Sequence, residues 1–127
     1  MAQPKKRILV VDDERDVCRT LQLMLENNGF DIDCYTDSTK ALEKFKPNLY
    51  DLTILDVKMP KINGFELYEQ LKSRDSNIKT LFITGLSSVE SYNTQNSKVY
   101  PLKGQRHFMT KPVSSKELLE HVYAMIN

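Results

Sequence analysis

Hydrophobic positions along the chain follow two alternating rhythms. Runs of β-forming residues, Ile8-Leu9-Val10-Val11 and Leu52-Thr53-Ile54-Leu55, are bounded by charged or turn residues, the pattern of strands buried on both faces of a parallel sheet. They predict strands over 7–11 and 50–56. Residues 30–35 alternate Phe, Ile and Cys with Asp, which predicts a second strand near an edge. Residues 78–84 and 107–110 predict a fourth and a short fifth strand.

Between the strands the apolar spacing becomes helical. Val17, Leu21, Met24 and Leu25 share one face of a helix over 14–28, with Asp13 as its expected N-cap and Asn28-Gly29 as its stop. A short helix carrying Ala41, Leu42 and Phe45, capped by Asp37 or Ser38, has to end by Pro47. Residues 64–74 put Leu67, Tyr68 and Leu71 on one face. The last helix opens with the capping box Ser114 to Glu117 and is expected to bury Leu118, Leu119, Val122 and Ile126. The segment between Gly85 and Arg106 is rich in Ser, Asn, Gln and Lys, so only a short helix near 87–96 and then an irregular loop are expected.

Alternating strands and helices imply a parallel sheet covered on both faces. The predicted fold is a flavodoxin-like, doubly wound (βα)5 sheet of strand order 2-1-3-4-5, with an irregular or shortened helix in the fourth crossover. At 127 residues the chain is expected to be one domain, 1–127, large enough to bury a core without a disulfide or a metal.

Composition narrows the class. A net charge of +1 gives no global field for nucleic acid or anionic lipid, so direct nucleic-acid binding is not expected. No apolar run approaches the roughly 20 residues of a membrane span, and the basic start leads into a strand rather than a signal peptide. The expected compartment is the cytoplasm. Cys18 and Cys34 lack any CxxC or Cys/His ligand spacing and read as two buried or half-buried thiols. His107 and His121 have no partners at ligand spacing, and Met59 reads as a packing residue.

Chemistry enters at the carboxyl ends of the strands, where open α/β sheets bind ligands. Asp12, Asp13, Asp56, Thr84 and Lys111 all fall there. Asp is a poor strand residue, so Asp56 raises a functional question, although any of these Asp residues could instead cap a turn or a helix. Crowded carboxylates raise one another's pKa unless a cation joins them, and a few oxygen ligands with room for water suit Mg²⁺. A strand-end Asp can attack phosphorus, with the Thr84 hydroxyl and Lys111 ammonium steadying the transferred oxygens.

The pieces Ile8-Leu9-Val10-Val11-Asp12-Asp13-Glu14, Leu55-Asp56-Val57-Lys58-Met59-Pro60 with Gly64, Ile83-Thr84-Gly85 and Phe108-Met109-Thr110-Lys111-Pro112 together resemble the receiver domain of two-component response regulators, in the style of single-domain chemotaxis regulators. The resemblance covers essentially the whole chain. It implies that Asp56 accepts a phosphoryl group from a histidine kinase or phosphotransfer protein. Asp13, Asp56 and the backbone carbonyl of Lys58 would bind Mg²⁺, with Asp12 acting mainly through water. Thr84 and Lys111 would contact the phosphoryl oxygens, and Thr84 with Phe108 would form the switch. The Lys111-Pro112 bond would be cis. Phosphorylation would then shift the population toward a surface that controls an unknown output protein or domain, so the chain is expected to be a regulator rather than an enzyme.

Two departures stand out. The polar stretch 87–106 lacks the usual amphipathic helix, and Lys58 and Leu86 are expected to shield an acyl phosphate from water. Other readings are weaker. A Mg²⁺-dependent phosphatase would need an acid at the position of Lys58, and a flavin carrier would need a phosphate cradle where Asp12-Asp13-Glu14 stands. A phosphorylation-independent interaction module leaves the complete set of five site residues without a role.

Overall fold

The strand predictions are met by a sheet whose central members have no exposed residue. In a computed structural model describing residues 5–85 and 106–126, β3 (Leu52–Asp56) and β4 (Thr80–Thr84) are buried throughout. β1 (Arg7–Val11) is buried except at Arg7, and β2 (Asp31–Tyr35) and β5 (Arg106–Thr110) flank the sheet. All pairings are parallel in the order β2-β1-β3-β4-β5, as expected for the flavodoxin-like arrangement. The helices described are α1 (Arg15–Glu26), α2 (Ser38–Lys44), α3 (Gly64–Arg74) and α4 (Ser115–Ile126). The helix expected near 87–96 and the loop after it lie outside the described residues.

The strand period of two splits the core into two clusters. Ile8, Val10, Leu52, Ile54, Leu81 and Ile83 face α1 and α4, where Leu21, Leu25, Leu118 and Val122 meet them. Leu9, Val11, Leu55 and Phe82 face the other way, toward Ala41, Leu67, Tyr68 and Leu71 of α2 and α3. Each fully buried Leu or Ile contributes roughly 1.5–3 kcal/mol relative to exposure, and a helix cap about 1 kcal/mol. Burial therefore carries the stability, while the caps set where helices begin.

The caps refine the sequence reading. Asp37, rather than Ser38, caps α2, accepting from the Thr39 N–H at 2.9 Å and its hydroxyl at 2.6 Å. α3 has a full capping box: Asn63 Oδ1 accepts from Glu66 N–H at 2.8 Å, and Glu66 Oε1 accepts from Asn63 N–H at 3.0 Å. At α4 the Glu117 N–H donates to Ser114 Oγ at 3.2 Å, and the packed face is Leu118, Val122 and Met125, with Leu119 and Ile126 half-buried. The expected Asp13 cap of α1 is not formed. Glu14 is the N-cap, its side chain making no cap bond, and Asp12 Oδ1 instead accepts from the Glu14 N–H at 2.9 Å.

The cysteines are a second correction. Cys18 on α1 and Cys34 on β2 form a disulfide across a Cα–Cα distance of 6.3 Å, inside the span such a bond bridges. Their separation of 16 residues carries no sequence signal, since it is the packing of α1 on β2 that brings them together.

Gly64 fixes how β3 hands over to α3. Its N–H donates to the Val57 carbonyl at 2.8 Å, and a Cβ there would collide with the Asp56 carbonyl oxygen. Substitution Gly64→Ala is expected to push the strand end and helix start apart and to destabilise by about 1–3 kcal/mol. Denaturant unfolding measures the loss; a variant as stable as the wild type would show that this approach is not tight.

Candidate functional site at the carboxyl edge of the sheet

The parallel sheet brings the ends of four strands to one edge. Asp12 follows β1, Asp56 ends β3, Thr84 ends β4, and Lys111 follows β5. Backbone bonds carry the ladder past the strand ends and fix these residues. Asp12 N–H donates to Tyr35 O at 3.1 Å, Val57 N–H to Ile83 O at 2.9 Å, and Lys111 N–H to Thr84 O at 2.9 Å. The Lys111-Pro112 bond is cis, as the resemblance implies.

One carboxylate oxygen from each of Asp12, Asp13 and Asp56 lies within 4.8 Å of the others. Asp12 and Asp56 are 1% and 4% exposed, whereas Asp13 faces solvent. Burial, more than any neighbour, raises the pKa of both buried carboxyls. Asp56 is pushed up to about 7, with the Asp12 charge adding to the effect and Lys111 opposing it. Asp12 is raised for the same leading reason, against the Glu14 N–H and Lys111, which favour its ionised form.

Lys111 Nζ lies 2.8 Å from Glu14 Oε1, 3.2 Å from Asp12 Oδ2 and 3.5 Å from Asp56 Oδ1. Burial alone would lower its pKa, but the hydrogen bond to Glu14 and the charges of Asp12 and Asp56 outweigh this and hold it above its usual range. One ammonium cannot neutralise this many acids. Asp12 Oδ2 remains buried without a hydrogen bond, because Lys111 approaches within ion-pair distance but is not aligned to donate to it. Hard oxygen donors in small number, one orphaned and one solvent-facing, fit a Mg²⁺ ion that keeps some of its waters.

A crevice of about 530 Å³ opens over the cluster, lined by Asp13, Glu14, Asp56, Lys58, Gly85 and Lys111 among others. Lys58 is exposed at its edge, and Leu86, its expected partner in shielding, lies outside the described residues. The Thr84 side chain is buried, its hydroxyl donating to the Gly85 carbonyl at 3.3 Å. Phe108 is half-buried and stacks on Phe82, with centroids 5.0 Å apart and 27° between planes. All five strand-end residues predicted as site residues are thus at this edge.

Three contacts carry little or no sequence signal. Glu14, which the sequence places in the acidic run Asp12-Asp13-Glu14 and at a helix start without a role toward Lys111, makes the shortest of the Lys111 ion pairs described. Ser38 Oγ also donates to Pro60 O at 3.3 Å, and Lys61 pairs with Asp37 at 3.4 Å. These pin the loop that carries Lys58 to the start of α2, and nothing in local sequence announces them.

Comparison with known proteins agrees with this geometry. The family model for the response regulator receiver domain matches residues 8–123. The chain is 35% identical over 122 residues to the alkaline phosphatase synthesis transcriptional regulatory protein PhoP of Bacillus subtilis, covering 95% of this chain and 48% of that protein. It is 33% identical over 120 residues to the response regulator ArlR of Staphylococcus saprophyticus, covering 94% and 52%. The crystal structure of a response regulator receiver domain protein from Clostridium thermocellum superposes with a TM-score of 0.78 at 25% identity, covering 96% of this chain and 94% of that one. The fold and the strand-end acids thus define a receiver, and the chain belongs to the response regulator receiver domain family of two-component signalling. It spans about half the length of the curated relatives it matches.

The raised carboxyls set a pH dependence. In the folded, metal-free protein Asp56 keeps its proton up to about pH 7, while in the unfolded chain it ionises near 3.8. The folded state binds more protons across that window, so stability is expected to fall by about 1–3 kcal/mol as pH rises from 4 to 7. Asp37, held near 2 by bonds from Thr39, acts in the opposite sense but only as pH falls below its unfolded value of 3.8. Asp56→Asn should flatten the decline, and Mg²⁺ should restore stability at neutral pH. Denaturant unfolding at several pH values checks this; a stability that climbs from pH 4 to 7 without metal would contradict the electrostatics described.

Proposed function

We propose that Asp56 is the phosphoacceptor of a phosphorylation-activated switch, receiving its phosphoryl group in a Mg²⁺-dependent reaction from a histidine kinase or phosphotransfer protein. The observation that supports this most is the position of Asp56: a buried carboxylate at the end of the central strand, sharing its 4.8 Å cluster with two other acids and lying 3.5 Å from an ammonium. That is the equipment phosphoryl transfer asks of a protein, which is positioning and charge stabilisation more than covalent chemistry.

An ionised Asp56 oxygen attacks the phosphorus in line. The new bond is carboxylate O–P, and the bond from phosphorus to its donor breaks, leaving the donor with the electron pair. Lys111, adjacent to Asp56, turns its ammonium toward the incoming equatorial oxygens, and the Thr84 hydroxyl leaves the Gly85 carbonyl to donate to one of them. Asp13, Asp56 and the Lys58 carbonyl would hold Mg²⁺, with Asp12 acting through water, and the ion would supply neutralisation of the crowded negative charge. Loss of the Thr84 bond to Gly85 frees space at the end of β4, and Phe108 shifts against Phe82 on the neighbouring strand. The altered surface then favours a partner that distinguishes the two states.

On this reading the chain regulates and is not an enzyme acting on a separate substrate. Asp56, Thr84 and Lys111 serve its own phosphorylation and dephosphorylation. Its output is a protein or an output domain rather than nucleic acid bound directly by these residues. A cytoplasmic setting belongs to the same proposal; among the described residues no helix is long and apolar enough to cross a membrane.

Intact mass after incubation with Mg²⁺ and a small acyl phosphate donor tests the proposal. The expected result is one phosphate adduct that requires Mg²⁺ and is absent from Asp56→Asn. An adduct that persists in Asp56→Asn would move the acceptor elsewhere. A folded, Mg²⁺-bound protein that takes phosphate neither from this donor nor from a histidine kinase would favour a phosphorylation-independent module.

A further inference from the structure

Among the described residues Lys111 has three carboxylates to choose from, and its geometry is not shared evenly among them. It donates a hydrogen bond to Glu14 Oε1 at 2.8 Å, while its approach to Asp12 Oδ2 at 3.2 Å leaves that buried oxygen without a hydrogen bond. Asp56 Oδ1 is farther still at 3.5 Å. The ammonium thus reaches all three acids, but its shortest contact and its hydrogen bond go to the exposed one at the mouth. Glu14 is itself fixed for this task, since its N–H is held by Asp12 Oδ1 at 2.9 Å and its backbone is extended, with φ −84° and ψ 112°.

We propose that Glu14 is a positioning residue: it holds the Lys111 ammonium at the rim of the crevice and so keeps the oxygens of Asp12 and Asp56 open to a divalent cation. Without Glu14 the ammonium's remaining carboxylate neighbours among the described residues are those two buried groups. It then settles on the orphaned Asp12 oxygen and on Asp56 and competes with the ion for them. Lys111 is 20% exposed and Glu14 61% exposed, so solvent screens the pair and the effect is modest. The inference rests on the Mg²⁺ half of the proposed function and needs no phosphoryl transfer.

A double-mutant cycle read by Mg²⁺ affinity tests it, using backbone amide shifts in the wild type, Glu14→Gln, Lys111→Met and the double variant. Removing a negative charge near the site weakens Mg²⁺ binding in either background by direct attraction lost. If Glu14 acts through Lys111, Glu14→Gln costs a further factor of roughly two to five when Lys111 is present. Equal effects in both backgrounds would overturn the proposal, and with a normal Asp56 adduct they would overturn it alone. A positive cycle without any Asp56 adduct would uphold it while removing the phosphoacceptor reading. Should Lys111→Met not fold, the side-chain nitrogen resonance of Lys111 decides: it must move between metal-free wild type and Glu14→Gln, and an unchanged resonance overturns the proposal.

Discussion

Like charges held together at the edge of a sheet are the constraint around which this protein is built. Three carboxylates with oxygens within 4.8 Å of one another, two of them buried, would separate if their backbones were free. They are not free. Asp12 hangs from β2 through Tyr35, the step after Asp56 is tied to β4 through Ile83, and Lys111 is tied to β4 through Thr84. The two apolar clusters that sandwich the sheet supply the stability that keeps those ties closed. The site is thus unfavourable locally and held together by the rest of the fold, and its oxygen donors fit a cation. Whatever binds or covalently modifies the cluster would change the energy of the edge.

The edge is connected to the rest of the fold by aromatic rings. Phe82 on β4 contacts Phe65 at 5.0 Å and Tyr68 at 5.5 Å on α3, and Phe108 on β5 at 5.0 Å. Thr84 and Phe82 point to the same face of one strand, two residues apart. A change at the Thr84 hydroxyl and a change in the packing of Phe108 therefore share a rigid element. The loop carrying Lys58 is braced from the other side by Ser38 and by the Asp37–Lys61 pair. The β3–α3 side of the edge is thus fastened by side-chain contacts beyond the sheet ladder.

Much of this was legible in the chain. The period-two and period-3.6 patterns predict strands and helices at nearly their observed positions, because buried strands and amphipathic helices leave dense, local signals. Asp56 and Lys111 are legible for the same reason: each ends an apolar run. What escaped depends on contacts distant in sequence. Cys18 meets Cys34 only once α1 packs on β2, and Glu14 meets Lys111 across a separation of 97 residues. Asp13 looked like the cap of α1 because Asp is a good N-cap, but Asp12 takes the Glu14 N–H and leaves Asp13 facing the crevice. Local propensity ranks residues for a role, and tertiary geometry decides which neighbour fills it.

If the strand-end carboxylates are held unfavourably by burial and crowding, a divalent cation should relieve them. Carboxyl carbon NMR of the Asp side chains, titrated with and without Mg²⁺, tests it most directly. The Asp56 carboxyl is expected to titrate near 7 without metal, and Mg²⁺ to move it down into or below the ordinary carboxylate range. An Asp56 that already titrates near 3.8 without metal, or one that Mg²⁺ leaves unmoved, would contradict it.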